Sequence, residues 1–174
     1  MAWVFGVRSQ AQLGTCHPKL VAVATEALRL SYFDFSVLKG HRDQAEQDAA
    51  FAAGTSQKRW PNGSHNRNPS LALDFAPWPR PFSVAAKDHV RWYSIAEAFW
   101  AASVHLGTPI RLGLDWDRDQ DVLDQTFDDL GHVELFGPQK AATRERTNDA
   151  RTLSRNRART DDRRRRLPRL HRHD

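Results

Sequence analysis

From Pro18 onward, apolar residues recur at three- and four-residue intervals. Leu20, Val21, Ala24, Ala27 and Leu28, ending on Ser31, define one face of a helix that starts on Pro18. Phe33–Leu38 (FDFSVL) reads as a strand. Asp43–Ala53 reads as a helix with Gly54 as its stop. Residues 55–70 (TSQKRWPNGSHNRNPS) are polar and broken by Pro, Asn and Gly, which predicts a loop. Leu71–Ala76 (LALDFA) alternates as a half-buried strand does, and Pro77, Pro79 and Pro81 predict an extended segment after it. A long helix is predicted from Lys87 or Asp88 to Leu106, with Val90, Tyr93, Ile95, Ala96, Phe99, Trp100 and Val104 inward and Gly107 ending it. Pro109–Leu112 and His132–Phe136 are short strands on either side of an acidic loop.

Short strands mixed irregularly with helices predict an α+β domain, a small antiparallel sheet flanked by helices, rather than a doubly wound sheet. There is no internal repeat. Six tryptophans and 40% hydrophobic residues suffice for one core within 174 residues. No apolar stretch approaches the ~20 residues of a membrane span. The first basic residue, Arg8, follows the apolar start instead of preceding it, so no signal peptide is expected. The single cysteine, Cys16, rules out an internal disulfide, fits a reducing cytosol, and is expected to serve packing.

Charge divides the chain in two. Residues 139–174 hold 13 Lys/Arg against 5 Asp/Glu, whereas residues 1–138 hold 13 against 16. The net charge of +5 therefore reflects a basic tail on a slightly acidic domain. With Leu153, Leu167 and Leu170 as almost its only large apolar residues, the tail is expected to be disordered. It lacks the aromatic interleaving of a nucleic-acid module, so no specific nucleic-acid partner is expected. Contact with anionic polymers and a nonessential extension are the readings left for it.

Three features can carry chemistry: Ser64-His65 followed by Asp74 in the strand LALDF, the run DDLGHVEL from Asp128 to Leu135, and Arg42 with Gln47. Two histidines and a carboxylate form a common hydrolytic zinc set that leaves a fourth position for water. Neighbouring antiparallel strands would bring His65, Asp74 and His132 together. Asp129, three residues before His132, is placed to accept the water's proton. Arg42 could stabilise an oxyanion or hold a substrate carboxylate. Spacing alone leaves the plainer readings open: an exposed loop His65, an Asp74 satisfied by backbone donors, a half-buried structural His132, and an Arg42 paired with Asp43 or Glu46.

The segment GHRDQAEQDAAFAAGTSQKRWPNGSHNRNPSLALDFAPWP resembles the peptidoglycan peptidases of phage endolysins. These are L-alanyl-D-glutamate endopeptidases and related D-alanyl-D-alanine carboxypeptidases, in the superfamily shared with hedgehog domains. The resemblance continues in SQAQLGTCHPKLVAVATEALRLSYFDFSVLKG and PIRLGLDWDRDQDVLDQTFDDLGHVEL, covering roughly residues 5 to 137. It implies a hedgehog/D-Ala-D-Ala peptidase-like fold on residues 1–138, one zinc held by His65, Asp74 and His132, and Asp129 as the base. It further implies a substrate-orienting or transition-state role for Arg42, a supporting one for Glu134, and places for Gln47 and Ser56 near the site. The implied substrate is bacterial peptidoglycan, with L-Ala–D-Glu cleavage expected, a D-Ala-D-Ala carboxypeptidase as the alternative, and an inactive binding protein as the third reading. The implied protein is a monomer that accumulates in the host cytoplasm and is released to the wall by a separate membrane-permeabilising protein.

Two departures stand out. The family's Trp-Gly-Gly-Asp-Trp run is here Leu112-Gly113-Leu114-Asp115-Trp116, next to the expected site and bearing on substrate fit more than on metal binding. His41 replaces a commonly apolar residue. In the acidic loop, Asp115, Asp117, Asp119 and Asp121 alternate as calcium ligands of an EF-hand do. Gln120 and Thr126 then stand where that loop needs Gly and Glu, so a solvated acidic loop is expected instead.

Overall fold

The structure is a computed structural model that describes residues 3–79, 89–119, 121, 122, 127 and 129–137. The expected domain boundary at 138, the tail 139–174, and Asp128 and Thr126 lie outside the described residues.

The chain runs α1 (Val7–Leu13), α2 (Pro18–Leu30), β1 (Phe35–Lys39), α3 (Gln44–Ala52), a 3-10 turn at Ser64–Asn66, β2 (Ala72–Pro77), α4 (His89–His105), β3 (Ile110–Leu112) and β4 (His132–Leu135). Among the described residues one sheet forms, antiparallel throughout, in the order β1-β2-β4-β3. The fold is α+β, as the hydrophobic pattern predicts, and the bounds of the expected elements agree to within two residues, except the start of α4, whose expected place at Lys87 or Asp88 lies outside the described residues. Two local features set the ends of α3. Asp43 lies outside it as the cap, its carboxylate accepting from Glu46 N while Glu46 reaches back to Asp43 N. Gly54 follows it in a left-handed conformation.

One face of the sheet carries the core, under α2 and α4. Leu73, Phe75 and Val133 point there with Phe35 and Val37, against Leu20, Val23, Ala24 and Ala27 of α2. Phe99 of α4 stands at the centre, with its ring 5.0 Å from Phe75 and 5.2 Å from Phe35. Trp92 closes the cluster 5.6 Å from Phe75. Cys16 is buried in this core, in keeping with a packing role.

The inward set expected for α4 needs correction at three positions. Val90 is 68% exposed, Trp100 49% and Val104 65%. At ~100° per residue Val104 falls opposite Ile95, and Trp100 and Val90 fall well round the helix. The buried face is Trp92, Ile95, Ala96, Phe99, Ala102 and Ser103, so small residues, not the largest apolar ones, mark its C-terminal half. On α2 the buried residue is Val23, with Val21 only half-buried, and Ser31 is the C-cap. Helix α1 had no expectation attached to it. Of its apolar ends Val7 is exposed and Leu13 is buried in the core, and buried Ser9 ties it to β1, its hydroxyl accepting from Val37 N.

Phe99 is fully buried on the core face of the sheet. Phe99→Ala is expected to cost about 3–5 kcal/mol through the cavity it leaves. Urea denaturation reads this directly, and a midpoint unchanged from the parent would show that the aromatic cluster is not the main core.

Candidate metal and catalytic site

Alternation along β2 and β4 sends Leu73, Phe75 and Val133 to the core and Asp74, His132 and Glu134 to the other face. The register then assembles a row: Lys39 of β1 lies opposite Asp74, and Asp74 opposite His132. A second row pairs Ala72 with Glu134 and Glu134 with Arg111. An irregularity between Val37 and Lys39 leaves Leu38 as an extra residue on β1. A bulge of this kind redirects the chain, and it is followed here by Gly40 and Arg42.

His65 comes from the turn Ser64–Asn66. That turn is tied to the end of β1 by Arg42 N donating to His65 O, and to the start of β2 by Leu71 N donating to Ser64 O. The ring is fixed from behind. Its Nδ1 lies 2.6 Å from the Gly40 carbonyl and donates to it, so Nε2 faces the site with a lone pair. That Nε2 stands 3.1 Å from Asp74 Oδ1 and 3.3 Å from His132 Nδ1, and His132 Nδ1 is also 3.1 Å from Asp74 Oδ1. His132 turns its other nitrogen, Nε2, toward Glu134 Oε2 at 3.6 Å.

Three buried or half-buried donor atoms from a loop and two strands thus converge, and they could hold a metal ion. Two ligands at ~2.0 Å from a tetrahedral ion lie about 3.3 Å apart, so the spacing fits one small cation. Each imidazole has an acceptor behind it, the usual support of a metal-binding histidine.

Charges around the cluster are matched. Arg42 Nη2 lies 3.1 Å from Asp74 Oδ2, the oxygen turned away from the histidines. The alternative surface pairing of Arg42 with Asp43 or Glu46 is therefore not what forms: Asp43 caps α3, and Glu46 pairs with Lys39. Burial alone would raise the Asp74 pKa, but the His132 and His65 imidazoles beside it outweigh burial and hold the carboxyl well below its usual range. Burial pulls the His132 pKa down, yet the Asp74 and Glu134 carboxylates push it up to about 9. Glu134 is likewise opposed by burial and is held down to about 2 by hydrogen bonds with His132 and Ser64 and by the charge of Arg111.

Asp129 and His132 are the ends of one tight turn, with His132 N donating to Asp129 O at 3.0 Å. Burial raises the Asp129 pKa, the charge of Asp74 adds to this, and those of His132, His65 and Arg42 oppose it. Gln47 is fully buried behind Arg42: its Oε1 accepts from Arg42 Nη1 at 3.4 Å and from Asn66 Nδ2 at 3.1 Å. Its Nε2 donates to Ser56 Oγ at 2.9 Å. Ser56 therefore reaches the site only through Gln47.

Four contributors were assigned no role of their own, though Ser64 and Trp116 stood in the motifs. Ser64 donates to Glu134. Asn66 donates to the Arg42 carbonyl at 3.1 Å and to Gln47. Arg111 pairs with Glu134. Trp116 lays its ring 5.3 Å from that of His132, tilted by 33°. The alternation Ile110-Arg111-Leu112 could have flagged Arg111 as the one β3 residue facing the site. Trp116 had no periodic signal.

The acidic loop brings Asp115, Asp117 and Asp119 near one another. Backbone donors satisfy part of it: Asp119 N donates to Asp115 and Asp121 N to Asp119. Gln120 lies outside the described residues.

Residues 1–136 match the family model for phage L-alanyl-D-glutamate peptidase. The chain belongs to that family. It is 36% identical over 139 residues to the L-alanyl-D-glutamate peptidase of Escherichia phage T5, covering 78% of this chain and 99% of the relative. Its fold is similar to the crystal structure of the Serratia marcescens L-Ala D-Glu endopeptidase ChiX, with a TM-score of 0.60 and 29% identity over 76% of this chain and 90% of that one.

Within this family member, the altered run Leu112–Trp116 meets different demands at each residue. Leu112 and Leu114 are buried. Gly113 is gripped by the turn: its N donates to His132 O, and its O accepts from Asp129 N. A Cβ there would stand 2.3 Å from Asp129 O and 2.9 Å from the Cβ atoms of Asp129 and His132. Gly113→Ala is expected to cost about 1–3 kcal/mol and to pull the Asp129–His132 turn off the cluster. Thermal unfolding and metal content measured together check this, and parental values for both would overturn it.

Proposed function

We propose that this chain is a zinc-dependent endopeptidase that cuts the L-alanyl–D-glutamate bond in the stem peptides of bacterial peptidoglycan. One observation carries the reading: two imidazoles and a carboxylate converge at tetrahedral spacing inside a domain whose named relatives are L-alanyl-D-glutamate peptidases. The donor set of nitrogen and oxygen atoms suits zinc, and Asp74 is partly exposed to solvent.

His65, Asp74 and His132 are assigned as ligands. Bound there, zinc supplies Lewis acidity, polarising the scissile carbonyl and bringing the attacking water's pKa toward ~7. Asp129 takes the proton of the attacking water and delivers it to the leaving amine of D-glutamate. Its raised pKa suits both halves of that task, since a base that is too weak holds no proton to return. Arg42, held at the edge of the cluster by Asp74 and Gln47, faces the negative charge that develops on the carbonyl oxygen. Gln47 and Asn66 keep Arg42 in place, and Ser56 keeps Gln47 in place. Glu134 holds the His132 ring.

The purified protein is expected to retain about one zinc per chain, to lose cell-wall cleavage on chelation and to regain it on zinc addition. Mass spectrometry of the digest is expected to find peptides beginning with D-glutamate. Only trace zinc with no gain on addition would sink the metal assignment, and release of terminal D-alanine alone would assign the other bond.

Asp129→Asn is expected to keep zinc and lose turnover by about 10²–10⁴-fold. The same change should raise the melting temperature of the metal-free protein at neutral pH. A carboxyl whose pKa is higher folded than unfolded takes up a proton on folding, so stability falls as pH rises through that window and the charged form is unfavourable above it. Full activity in the variant would move the base elsewhere, with Glu134 next in line.

A further inference from the structure

We infer that Arg111 is a positioning residue for the His132 imidazole, acting through Glu134 on one side and Trp116 on the other. The inference rests on the metal-peptidase reading above and adds to it a residue that touches no reacting atom.

Two groups bear on the His132 ring besides the other donors of the cluster. Glu134 Oε2 lies 3.6 Å from its Nε2, and Trp116 lies against the ring with centroids 5.3 Å apart. Arg111 contacts both. Its Nη2 pairs with Glu134 Oε1, which leaves Oε2 for His132 and for the Ser64 hydroxyl. The same guanidinium lies 5.1 Å from the centre of the Trp116 ring, a cation–π distance. The indole is anchored at its far end, where Nε1 donates to the Phe127 carbonyl at 2.8 Å. Phe136 adds a second aromatic wall 5.8 Å from the guanidinium.

The arrangement asks for arginine in particular. A planar guanidinium can bind a carboxylate with one edge and face an aromatic ring at the same time, which the compact ammonium of lysine cannot do. The sheet supplies the placement: Arg111 lies directly across β3–β4 from Glu134, on the face that alternation gives to the site. Arg111 also mirrors Arg42. Each arginine binds the oxygen that its carboxylate does not offer to the cluster, Arg42 on Asp74 and Arg111 on Glu134. Without Arg111, buried Glu134 loses its arginine partner and is free to rotate away from His132 Nε2, and the ring loses a constraint that keeps Nδ1 turned toward Asp74 and His65.

The test measures zinc affinity by competition with a chromophoric chelator, alongside kcat and KM on soluble muropeptides at saturating zinc. Arg111→Met is expected to bind zinc about 10- to 100-fold more weakly and to lower kcat while leaving KM near the parental value. Glu134→Gln is expected to weaken zinc binding as well. The double variant should fall well short of the product of the two single effects, because both act on one ring. Arg111→Lys should regain only part of the loss.

Zinc affinity within twofold of the parent in Arg111→Met, or fully multiplicative effects in the double variant, would reduce Arg111 to an ordinary ion pair and overturn the inference. Should Arg111→Met fail to fold, Arg111→Lys decides: parental zinc affinity overturns the inference, and weakened affinity in a folded protein supports it. A parent chain that itself binds no zinc gives a separate result, which removes the metal reading and this inference with it.

Discussion

A single carboxylate oxygen organises this molecule. Asp74 Oδ1 stands 3.1 Å from the facing nitrogen of both His65 and His132. It can do so because β2 lies between β1 and β4, with Asp74 directly opposite His132. A slip of β2 by one residue would turn Asp74 into the aromatic cluster and bring Leu73 or Phe75 to the site. What forbids that slip is the packing of Leu73 and Phe75 against Phe99 and their neighbours. The geometry of the polar face is thus fixed by the apolar face, and the site inherits its precision from the core.

The polar face carries its own cost. His65, His132, Glu134, Gln47 and Asn66 are all buried, and buried polar groups destabilise unless each is partnered. Here they are partnered in a chain. Gly40 accepts from His65, Arg42 takes the outer oxygen of Asp74, Asn66 joins Arg42 to Gln47, and Gln47 reaches Ser56. On the other flank Ser64 and Arg111 hold Glu134. Such a network is worth its desolvation only when complete, so the loop from 56 to 66 is as much a part of the site as the strands are. Its conformation follows from these hydrogen bonds and not from any regular backbone repeat.

That difference decides what could be read in the sequence. The strands and the two long helices were legible because burial imposes period on them, and the alternation of LALDF already separated Asp74 from Leu73 and Phe75. The residues of α4 were legible only in part. Val90, Trp100 and Val104 are apolar but turn outward, and small Ala102 and Ser103 take their places inside. Size misleads where helix phase decides. Ordered motifs named His65, Asp74, Asp129, His132, Arg42, Gln47, Ser56 and Glu134, and these are brought to one face, directly or through one neighbour. Asn66 and Arg111 escaped because their work is to hold other side chains, which leaves no periodic or spacing signature, and Ser64 and Trp116 were named as parts of motifs without that holding role.

The altered run at residues 112–116 shows which parts of a motif geometry enforces. Leu112 points into the core with Ile110, where one apolar side chain can stand in for another if volume is kept. Leu114 is also buried, so a side chain is accommodated where the family often has glycine. Gly113 has no such latitude, since backbone atoms of the Asp129–His132 turn occupy the space of its Cβ. Trp116 is constrained by its ring, which lies against His132 and under Arg111. The chain has therefore departed from the family pattern at the two positions that face packed apolar surroundings. It has kept the pattern at Gly113 and Trp116, which touch the turn carrying His132, and at Asp115 between them.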